Sequence, residues 1–348
     1  MALNGDPSLP VPVDTQREIL KHLWRQTRPA TTNATDLHWD SYFAYYTSEC
    51  NSAIQYERGK FTSVRTHTNI TTIAEQLQEQ HSKADLKQKL LPSLKQQRTS
   101  DEKDAMLEGS IMLVARLLSM VDIGPLPYVP GRQPSLIWDD DTMSLKTLLE
   151  SRFNQNPTDG PEGMGFEEDF TAYNCQRYAG VEFVWTDNLA DHLHMSRSRK
   201  RVSVFHHASF LRWQDDVLPE GLAAETLKTL ALLFPSHDPK TRKWIESICA
   251  SSKPPVELDL QMLECGRLRD GQLSEFKFWR KELVALQKVF NEPHQTSIFQ
   301  QWRDKRNSTQ WYTFWIAVVV LCFTLFFGFV QSIEGAIQVY KAYHPSKD

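Results

Sequence analysis

The chain has 348 residues, of which 41% are hydrophobic and 24% are charged, and its formal net charge at pH 7 is −4. A chain of this length can form one large domain or two smaller ones, and its apolar content is ample for a core. The excess of Asp and Glu (43) over Lys and Arg (39) argues against nucleic-acid binding through overall charge. Nucleic acid is therefore not an expected partner.

The N-terminal part of the chain predicts helices. Residues 1–13 hold three prolines and neither the basic nor the apolar region of a signal peptide, so we expect a disordered leader. Residues 14–123 predict a helical region with three elements: a helix at Thr15–Arg28, an exposed helical arm at Thr71–Lys95 and a helix that starts at the capping box Thr99–Glu102.

Residues 124–135 contain four prolines and predict a linker to a second domain at residues 136–306. That domain opens with Asp139 and Asp141, which follow three apolar residues. An Asp-x-Asp after an apolar strand holds a divalent cation in many nucleotide-sugar transferases, because two carboxylates can share one hard cation. The simpler interpretation is that these acidic residues cap the helix predicted at Thr142–Phe153.

The middle of this domain predicts a small β-structure. A helix at Thr171–Ala179 closes at Gly180, and two strands are predicted at Val181–Thr186 and Arg201–Phe205. We expect these strands to pair as an antiparallel hairpin. The end of the connecting loop is basic: Arg197, Arg199, Lys200 and Arg201. The order of helix, strand, basic loop and strand loosely matches a winged-helix module, although a solvated loop is the default interpretation.

Four histidines and two aspartates lie next to these strands: His192, His194, His206, His207, Asp187 and Asp191. A zinc ion needs its ligands within about 2.1 Å. In an antiparallel hairpin the two histidine pairs would lie at opposite ends of the strands, more than about 13 Å apart. We therefore predict structural histidines, and we expect neither a bound metal nor a cofactor.

The rest of the domain predicts four helices: Pro219–Phe234, a helix with Asp238 as cap and Pro239 at its first position, Val256–Cys265, and Leu273–Asn291. The last one carries an apolar stripe: Phe276, Trp279, Leu283, Leu286 and Phe290. Two heptads are too few for a coiled coil, so we expect this stripe to pack on its own domain. The expected fold class is mainly α (α+β): a helical domain with a small β-hairpin, plus one C-terminal transmembrane helix.

The stretch Trp311–Ile333 contains 23 residues and no charge. As a helix it would be about 34 Å long, enough to cross a hydrocarbon core of about 30 Å. Three aromatic residues are expected to anchor it at the lipid head groups: Trp311, Tyr312 and Trp315. Three juxtamembrane basic residues precede it: Arg303, Lys305 and Arg306. The lipid bilayer is therefore an expected partner.

Gly328 and Ser332 lie four residues apart on one face of this predicted helix, and Gly335 and Ala336 extend the same small face. Small residues at this spacing let two helix backbones approach closely in lipid. The pattern therefore predicts a homodimer through the membrane helix.

Residues 334–348 form a short tail after the apolar stretch, so we expect membrane insertion after synthesis is complete. Residues 1–310 would then lie in the cytosol and the C-terminus in the lumen of the ER or another endomembrane compartment. The five cysteines show no short pairing and fit a reducing compartment. The sequons at Asn33, Asn69 and Asn307 would stay unmodified.

Four segments in combination resemble a large family of filamentous-fungal proteins: WTDNLADHL at Trp185–Leu193, VFHHASFL at Val204–Leu211, ETLKTLALLFP with DPKTRKW across Glu225–Trp244, and the apolar stretch with its tail at Gln310–Pro345. The resemblance covers roughly Leu136–Pro345. It implies a C-terminally anchored membrane protein. It implies no activity and no catalytic residues, because the family is uncharacterised.

We expect a tail-anchored, single-pass membrane protein that acts as a non-enzymatic interaction or adaptor module for an unidentified cytosolic protein. The chain lacks glycine-rich nucleotide motifs, a Gly-x-Ser-x-Gly elbow, His-Glu-x-x-His and a paired Cys-x-x-Cys. Two alternatives stay open. One is a metal-dependent transferase that uses Asp139 and Asp141, and the other is a membrane-tethered winged-helix protein that binds nucleic acid.

Overall fold

The computed structural model of the chain describes ten segments: residues 2–24, 39–94, 99–127, 132–154, 165–196, 200–214, 217–251, 257–266, 273–291 and 308–343. The chain divides into two compact units, Met1–Glu292 and Pro293–Asp348. The fold class is confirmed: the described part of the first unit is mainly helical with one small sheet, and the described part of the second unit is a long apolar helix.

The described part of the first unit contains eleven α-helices: α1 (Val13–Leu23), α2 (Asp40–Gln55), α3 (His67–Gln78), α4 (Lys83–Leu90), α5 (Ser100–Ser119), α6 (Leu145–Phe153), α7 (Ala172–Ala179), α8 (Ala208–Arg212), α9 (Leu222–Leu233), α10 (Pro239–Ser251) and α11 (Arg280–Asn291). Short 3-10 helices lie at Ala2–Asn4, Tyr56–Gly59, Leu91–Ser93, Leu189–Asp191, Leu260–Glu264 and Leu273–Glu275. The strands are β1 (Glu182–Thr186), β2 (Met195–Ser196) and β3 (Arg201–Phe205).

Local sequence signals set several helix ends as predicted. Thr99 and Glu102 form the expected capping box at the start of α5, and α7 ends at Gly180 in the left-handed conformation with φ 67°. Asp238 accepts hydrogen bonds from the backbone N–H of Lys240 and of Thr241, which caps α10 with Pro239 at its first position.

Helix α5 lies at the centre of the N-terminal part. Its first turn is polar, whereas its last ten residues from Ser110 to Ser119 are buried, and α2, α3 and α4 pack against it. The predicted exposed arm at Thr71–Lys95 is wrong. Ile73, Leu77 and Leu86 are buried, because the sparse apolar residues of α3 and α4 recur on one face that other helices cover.

The proline-rich segment 124–135 lies inside the first unit. The N–H of Gly124 donates to the carbonyl of Leu136, and the N–H of Leu136 donates to the carbonyl of Asp122. Buried residues on both sides of the segment belong to one hydrophobic core. The two ends of the segment are therefore held together.

The three strands form a sheet in the order β1-β3-β2. β1 pairs with β3 in parallel, from Glu182 opposite Arg201 to Thr186 opposite Phe205, and the antiparallel partner of β3 is β2. The predicted antiparallel pairing of the first two strands is therefore wrong, and the small hairpin is formed by β2 and β3. The segment between β1 and β2 returns to the opposite end of the sheet because Leu189 and Leu193 are buried along its path.

The C-terminal helices complete the first unit. The five apolar residues of the predicted stripe, from Phe276 to Phe290, are all buried, so the expectation that it packs on its own domain is confirmed. The start of α11 is held by Glu225 of α9, whose carboxylate accepts hydrogen bonds from the backbone N–H groups of Lys277, Phe278 and Trp279 at 2.7–2.8 Å. This contact fixes α11 against α9.

Candidate functional site

The described part of the second unit, residues 308–343, is one helix of 36 residues, α12 (Ser308–Tyr343). Residues Tyr312–Tyr340 are long and apolar enough to span a membrane, and no part of their most apolar window is buried. At about 1.5 Å per residue these 29 residues extend about 44 Å, longer than the predicted span. Large apolar side chains are exposed along it, such as Leu325 at 66% and Phe329 at 71%.

The predicted anchor residues lie along α12. Tyr312 is exposed and Trp315 is partly exposed, whereas Trp311 is in the helix but its side chain lies outside the described part. The Ser332 hydroxyl donates to the carbonyl of Gly328 at 2.9 Å, and a side chain at Gly328 would contact nothing within 4 Å. The predicted juxtamembrane residues Arg303, Lys305 and Arg306 lie outside the described residues.

Of the two aspartates predicted as a cation site, Asp141 is engaged by two lysines. Asp141 lies 2.7 Å from the ammonium group of Lys83 and 3.3 Å from that of Lys87, and the Lys83 ammonium is also bonded to the carbonyl of Trp138 at 2.5 Å. These lysines hold the pKa of Asp141 below its usual value, chiefly through the hydrogen bond from Lys83 and against a small effect of burial. Asp139 is exposed. A bound cation would have to displace Lys83, so the arrangement favours an ion pair.

The predicted role of these aspartates in capping is also wrong in position. Helix α6 begins at Leu145, and its cap is Ser144, whose hydroxyl accepts a hydrogen bond from the N–H of Thr147. Asp140 instead closes the preceding turn through the N–H of Thr142.

The structure brings Asp187, His206 and His207 together. Because β1 and β3 are parallel, they end at the same edge of the sheet, and these residues directly follow the two strand ends. Asp187 Oδ1 lies 2.7 Å from His207 Nε2 and 3.5 Å from His206 Nε2. The two imidazole rings stack with centroids 4.0 Å apart, and both are buried, whereas the Asp187 carboxylate is half-exposed.

The titration of this cluster follows from burial and from its hydrogen bonds. Burial, together with the adjacent His206, lowers the pKa of His207 to about 4 against the opposing hydrogen bond and attraction of Asp187. Burial would raise the pKa of Asp187, but the hydrogen bonds from His206 and His207 hold it well below its usual range. At neutral pH a carboxylate therefore accepts hydrogen bonds from two stacked imidazoles.

The predicted separation of the two histidine pairs is wrong for His192. Its Nδ1 accepts a hydrogen bond from the N–H of Phe205 at 3.2 Å, so it lies beside the end of β3. Its Nε2 is 2.7 Å from the hydroxyl of Thr229, and burial lowers its pKa to about 3. Both nitrogens of this neutral ring are thus used inside the core.

His194 and Asp191 belong to a different contact. The backbone N–H of Gln133 donates to Asp191 Oδ1 at 2.6 Å, and the Gln133 amide nitrogen lies 2.8 Å from His194 Nδ1. The end of the proline-rich segment is therefore joined to the crossover between β1 and β2. Of the basic cluster, Arg197 and Arg199 lie outside the described residues, and Arg201 is paired with Glu182 at 2.6 Å.

Asp187, His206 and His207 offer three ligand atoms within 4.8 Å of one another, which is close enough for a metal ion. Two features argue against one. The Nδ1 atom of His206 accepts a hydrogen bond from the backbone N–H of Asp259 at 3.3 Å. A neutral imidazole that binds a metal through Nε2 carries its proton on Nδ1, and this proton would point at the Asp259 N–H. The stacked rings also have planes only 29° apart, so a metal bonded at about 2.1 Å cannot lie in both planes.

We therefore expect purified chain to contain no stoichiometric transition metal. Elemental analysis after dialysis against zinc should give background zinc contents for the wild type and for His207→Gln alike. The reason is that hydrogen bonds already occupy the Asp187 carboxylate and the two imidazoles. One zinc per chain that is lost in His207→Gln would contradict this prediction and would support the transferase class.

Comparison of the chain with protein-family models, with curated protein sequences and with solved structures gives no match. The resemblance to a filamentous-fungal family therefore stays a prediction.

Proposed function

We propose that this chain is a tail-anchored, single-pass membrane protein whose first unit is a non-enzymatic interaction module in the cytosol. The observation that carries the proposal is the exposed apolar helix α12, whereas the described residues of the hydrophobic core all lie between Val11 and Phe290 of the first unit. A helix with apolar side chains all round that no protein surface covers is stable in lipid rather than in water. We infer that α12 is the anchor.

The state of the cysteines supports the cytosolic orientation. All five cysteines are free, and Cys50 and Cys175 are buried as thiols. Burial raises the pKa of Cys50 well above its usual value, so this thiol is inert. Free thiols of this kind fit a reducing compartment, and the cytosolic faces of the ER or other endomembranes meet that condition.

The described site geometry favours an interaction module over the two alternatives. The carboxylate of Asp141 is occupied by two lysines, which weakens the transferase alternative with Asp139 and Asp141. Arg201 is paired with Glu182, and the sheet is a mixed one with a parallel pair, which gives no support to a winged helix. The partner is proposed to be a cytosolic protein.

Removal of the anchor tests the proposal. The full chain with a glycosylation tag after Asp348 should stay in the membrane pellet after alkaline extraction and should be glycosylated on the tag. The chain truncated after Glu292 should become soluble and keep a cooperative thermal transition, because its buried core lies before that residue. Full-length chain that is soluble without detergent, or glycosylation at Asn69, which is exposed in α3, would contradict the topology.

We further propose that α12 forms a homodimer through the face that contains Gly328 and Ser332. Because the Ser332 hydroxyl already bonds to the Gly328 carbonyl, close helix contact would not leave it unpaired. Gly328→Leu should reduce crosslinked dimer in membranes at least several-fold. Phe326→Leu, about 200° round the helix, is the matched control and should change little. Equal dimer levels in the wild type and Gly328→Leu would refute this interface.

A further inference from the structure

The outer edge of β1 is unpaired within the described part of the chain. β1 is the outermost strand of the sheet, so β3 covers only one of its two edges. In the ladder with β3, the N–H of Glu182 donates to the carbonyl of Lys200 at 3.0 Å. Backbone groups alternate in direction along a strand, so those of Phe183 and Trp185 point away from β3. No described residue bonds to these two N–H and two C=O groups.

The apolar side chains of this edge are partly exposed. Val184 is 39% exposed, and Phe183 and Trp185 are half-buried against the core. The free edge begins after Val181, whose N–H donates to the carbonyl of Cys175. Buried backbone groups are almost always hydrogen-bonded, so the unpaired groups of this edge are expected to face solvent. An exposed edge strand with apolar side chains is a template for pairing with another strand.

We propose that the outer edge of β1 pairs in the antiparallel direction with the same edge of a second copy of the chain, about a two-fold axis at Val184. Phe183 of one copy then lies opposite Trp185 of the other, and each such pair exchanges two backbone hydrogen bonds. All four free backbone groups of each copy are used. Because the same surface is used on both copies, the pairing closes as a dimer and does not extend into a fibre.

The side chains match in the same register. Phe183 and Trp185 lie on one face of the strand, so each aromatic ring meets an aromatic ring across the interface. Val184 lies opposite Val184 of the second copy, with Cα atoms about 4.5 Å apart, which covers the exposed valine. Glu182 lies opposite Thr186, so no like charges face each other directly. Hydrogen bonds and apolar contacts therefore select the same pairing.

The charges at the two ends of β1 favour the antiparallel direction. The first residues of the β1–β3 pair are Glu182, Lys200 and Arg201, which are two basic side chains and one acidic one and thus carry a net charge of +1. At the other end, the half-exposed carboxylate of Asp187 is negative at neutral pH. Antiparallel pairing brings the positive end of each copy next to the negative end of the other, whereas parallel pairing would bring like ends together.

The pairing concerns β1 alone and does not rest on the proposed function. An extended segment of another protein could use the same backbone groups. The described residues set no sequence for such a segment, whereas a second copy matches the edge in hydrogen bonds, aromatic rings and charge. The second copy is therefore the occupant that the observations favour.

Disulfide trapping in the full chain in detergent micelles tests the pairing. Val184→Cys, oxidised in air with copper phenanthroline, should give several-fold more disulfide-linked dimer than the wild type, which reports the background from the native cysteines. The expected Cα separation of about 4.5 Å lies within the range of disulfides. Ser203→Cys is the matched control, because Ser203 lies beside Val184 on β3. Two copies of this residue would be three strand spacings apart, about 14 Å, which is too far for a disulfide.

Opposite charges at position 184 test whether the occupant is a second copy. Energy transfer between two labelled preparations measures the dimer, with Gly328→Leu in every sample to weaken the proposed α12 contact. Val184→Lys alone and Val184→Glu alone should each lower the transfer several-fold, because like charges then meet at the two-fold axis. A mixture of the two variants should restore it. Thermal transitions should stay unchanged, since Val184 is exposed.

The contrary outcomes are distinct from a failure of the membrane topology, because both measurements are made in micelles. Trapping of Val184→Cys no greater than that of Ser203→Cys would overturn the proposal. Equal energy transfer in the mixed and unmixed charge variants would overturn it as well. A disulfide from Val184→Cys to a different protein in native membranes, without a dimer of the chain, would replace the second copy by a partner protein.

Discussion

Glu225→Ala is expected to lower the free energy of unfolding of the first unit by about 4–6 kcal/mol, because hydrogen bonds to a charged group contribute about 1.5–3 kcal/mol each. The Glu225 carboxylate is 7% exposed and accepts three backbone N–H groups, two on Oε1 and one on Oε2. Alanine would leave the donors of Lys277, Phe278 and Trp279 without this partner. Solvent can reach some of them, which keeps the expected loss below the sum of three full bonds.

The consequences extend beyond the start of α11. Trp279 packs edge-on against His192 at 4.8 Å and against Phe153 at 6.0 Å, and its indole N–H donates to Thr226. Loss of the Glu225 carboxylate would loosen the start of α11, which holds the Trp279 ring in the core. Typical domains are stable by about 5–15 kcal/mol, so the expected loss is a large fraction of the total stability.

Denaturant unfolding of the full chain in mild detergent, followed by near-UV circular dichroism, measures this loss. Glu220→Ala is the control, since Glu220 is exposed and lies just before the same helix. Glu225→Gln should fall between the two, because its amide keeps one acceptor oxygen but lacks the charge. A change below about 1 kcal/mol in Glu225→Ala would show that the three contacts are not formed in solution.

The second large effect concerns the pH dependence of stability at His192. Burial lowers its pKa to about 3 in the folded chain, against an ordinary value of 6.5. Below pH 6.5 the unfolded chain takes up a proton on this ring while the folded chain does not. The contribution of neutral His192 to the free energy of unfolding is therefore fully present above pH 6.5. It is lost as the pH falls toward 3, by about 1.4 kcal/mol per pH unit.

The comparison with His192→Gln isolates this residue. The variant should be less stable than the wild type at pH 7, since both ring nitrogens are used. The stability difference should shrink by about 2 kcal/mol between pH 7 and pH 5, and should stay constant between pH 7 and pH 8. His207 adds to the loss in acid, and Asp122, whose pKa is raised to about 6 chiefly by burial, opposes it. Both act in wild type and variant alike, so the difference cancels them.

A stability difference that stays the same from pH 8 to pH 5 would mean that His192 titrates normally in the folded chain. That result would place the ring in contact with water and would reopen its role as a ligand or as a catalytic group. Unfolding midpoints at four pH values are sufficient, because the expected change of about 2 kcal/mol is well above experimental error.

The sequence alone determined the features that depend on neighbouring residues. The capping box at Thr99, the end of α7 at Gly180 and the start of α10 at Asp238 each involve contacts within a few residues. The apolar stripe of α11 and the uninterrupted apolar stretch of α12 are also periodic patterns within one element. Composition and spacing suffice for them because the helix itself brings these residues together.

Only the tertiary structure decided which segments meet. The direction of β1 relative to β3 depends on the path of the chain between them, and that path is set by Leu189 and Leu193 in a core built from distant helices. The parallel direction in turn places Asp187 on His206 and His207. In the same way, Asp141 is paired with Lys83, 58 residues earlier in the numbering, which no local motif announces.

A polar pocket lined by Arg152, Lys281 and Glu282 in the first unit was not predictable from sequence for a related reason. Arg152, Lys281 and Glu282 lie on ordinary polar faces of α6 and α11, where a charged residue indicates only solvent exposure. Their shared position depends on Glu225, which holds the start of α11 against α9. Local physical chemistry thus determined the elements and the long apolar helix of this protein, whereas long-range packing and buried hydrogen bonds decided the sheet, the histidine cluster and the pocket.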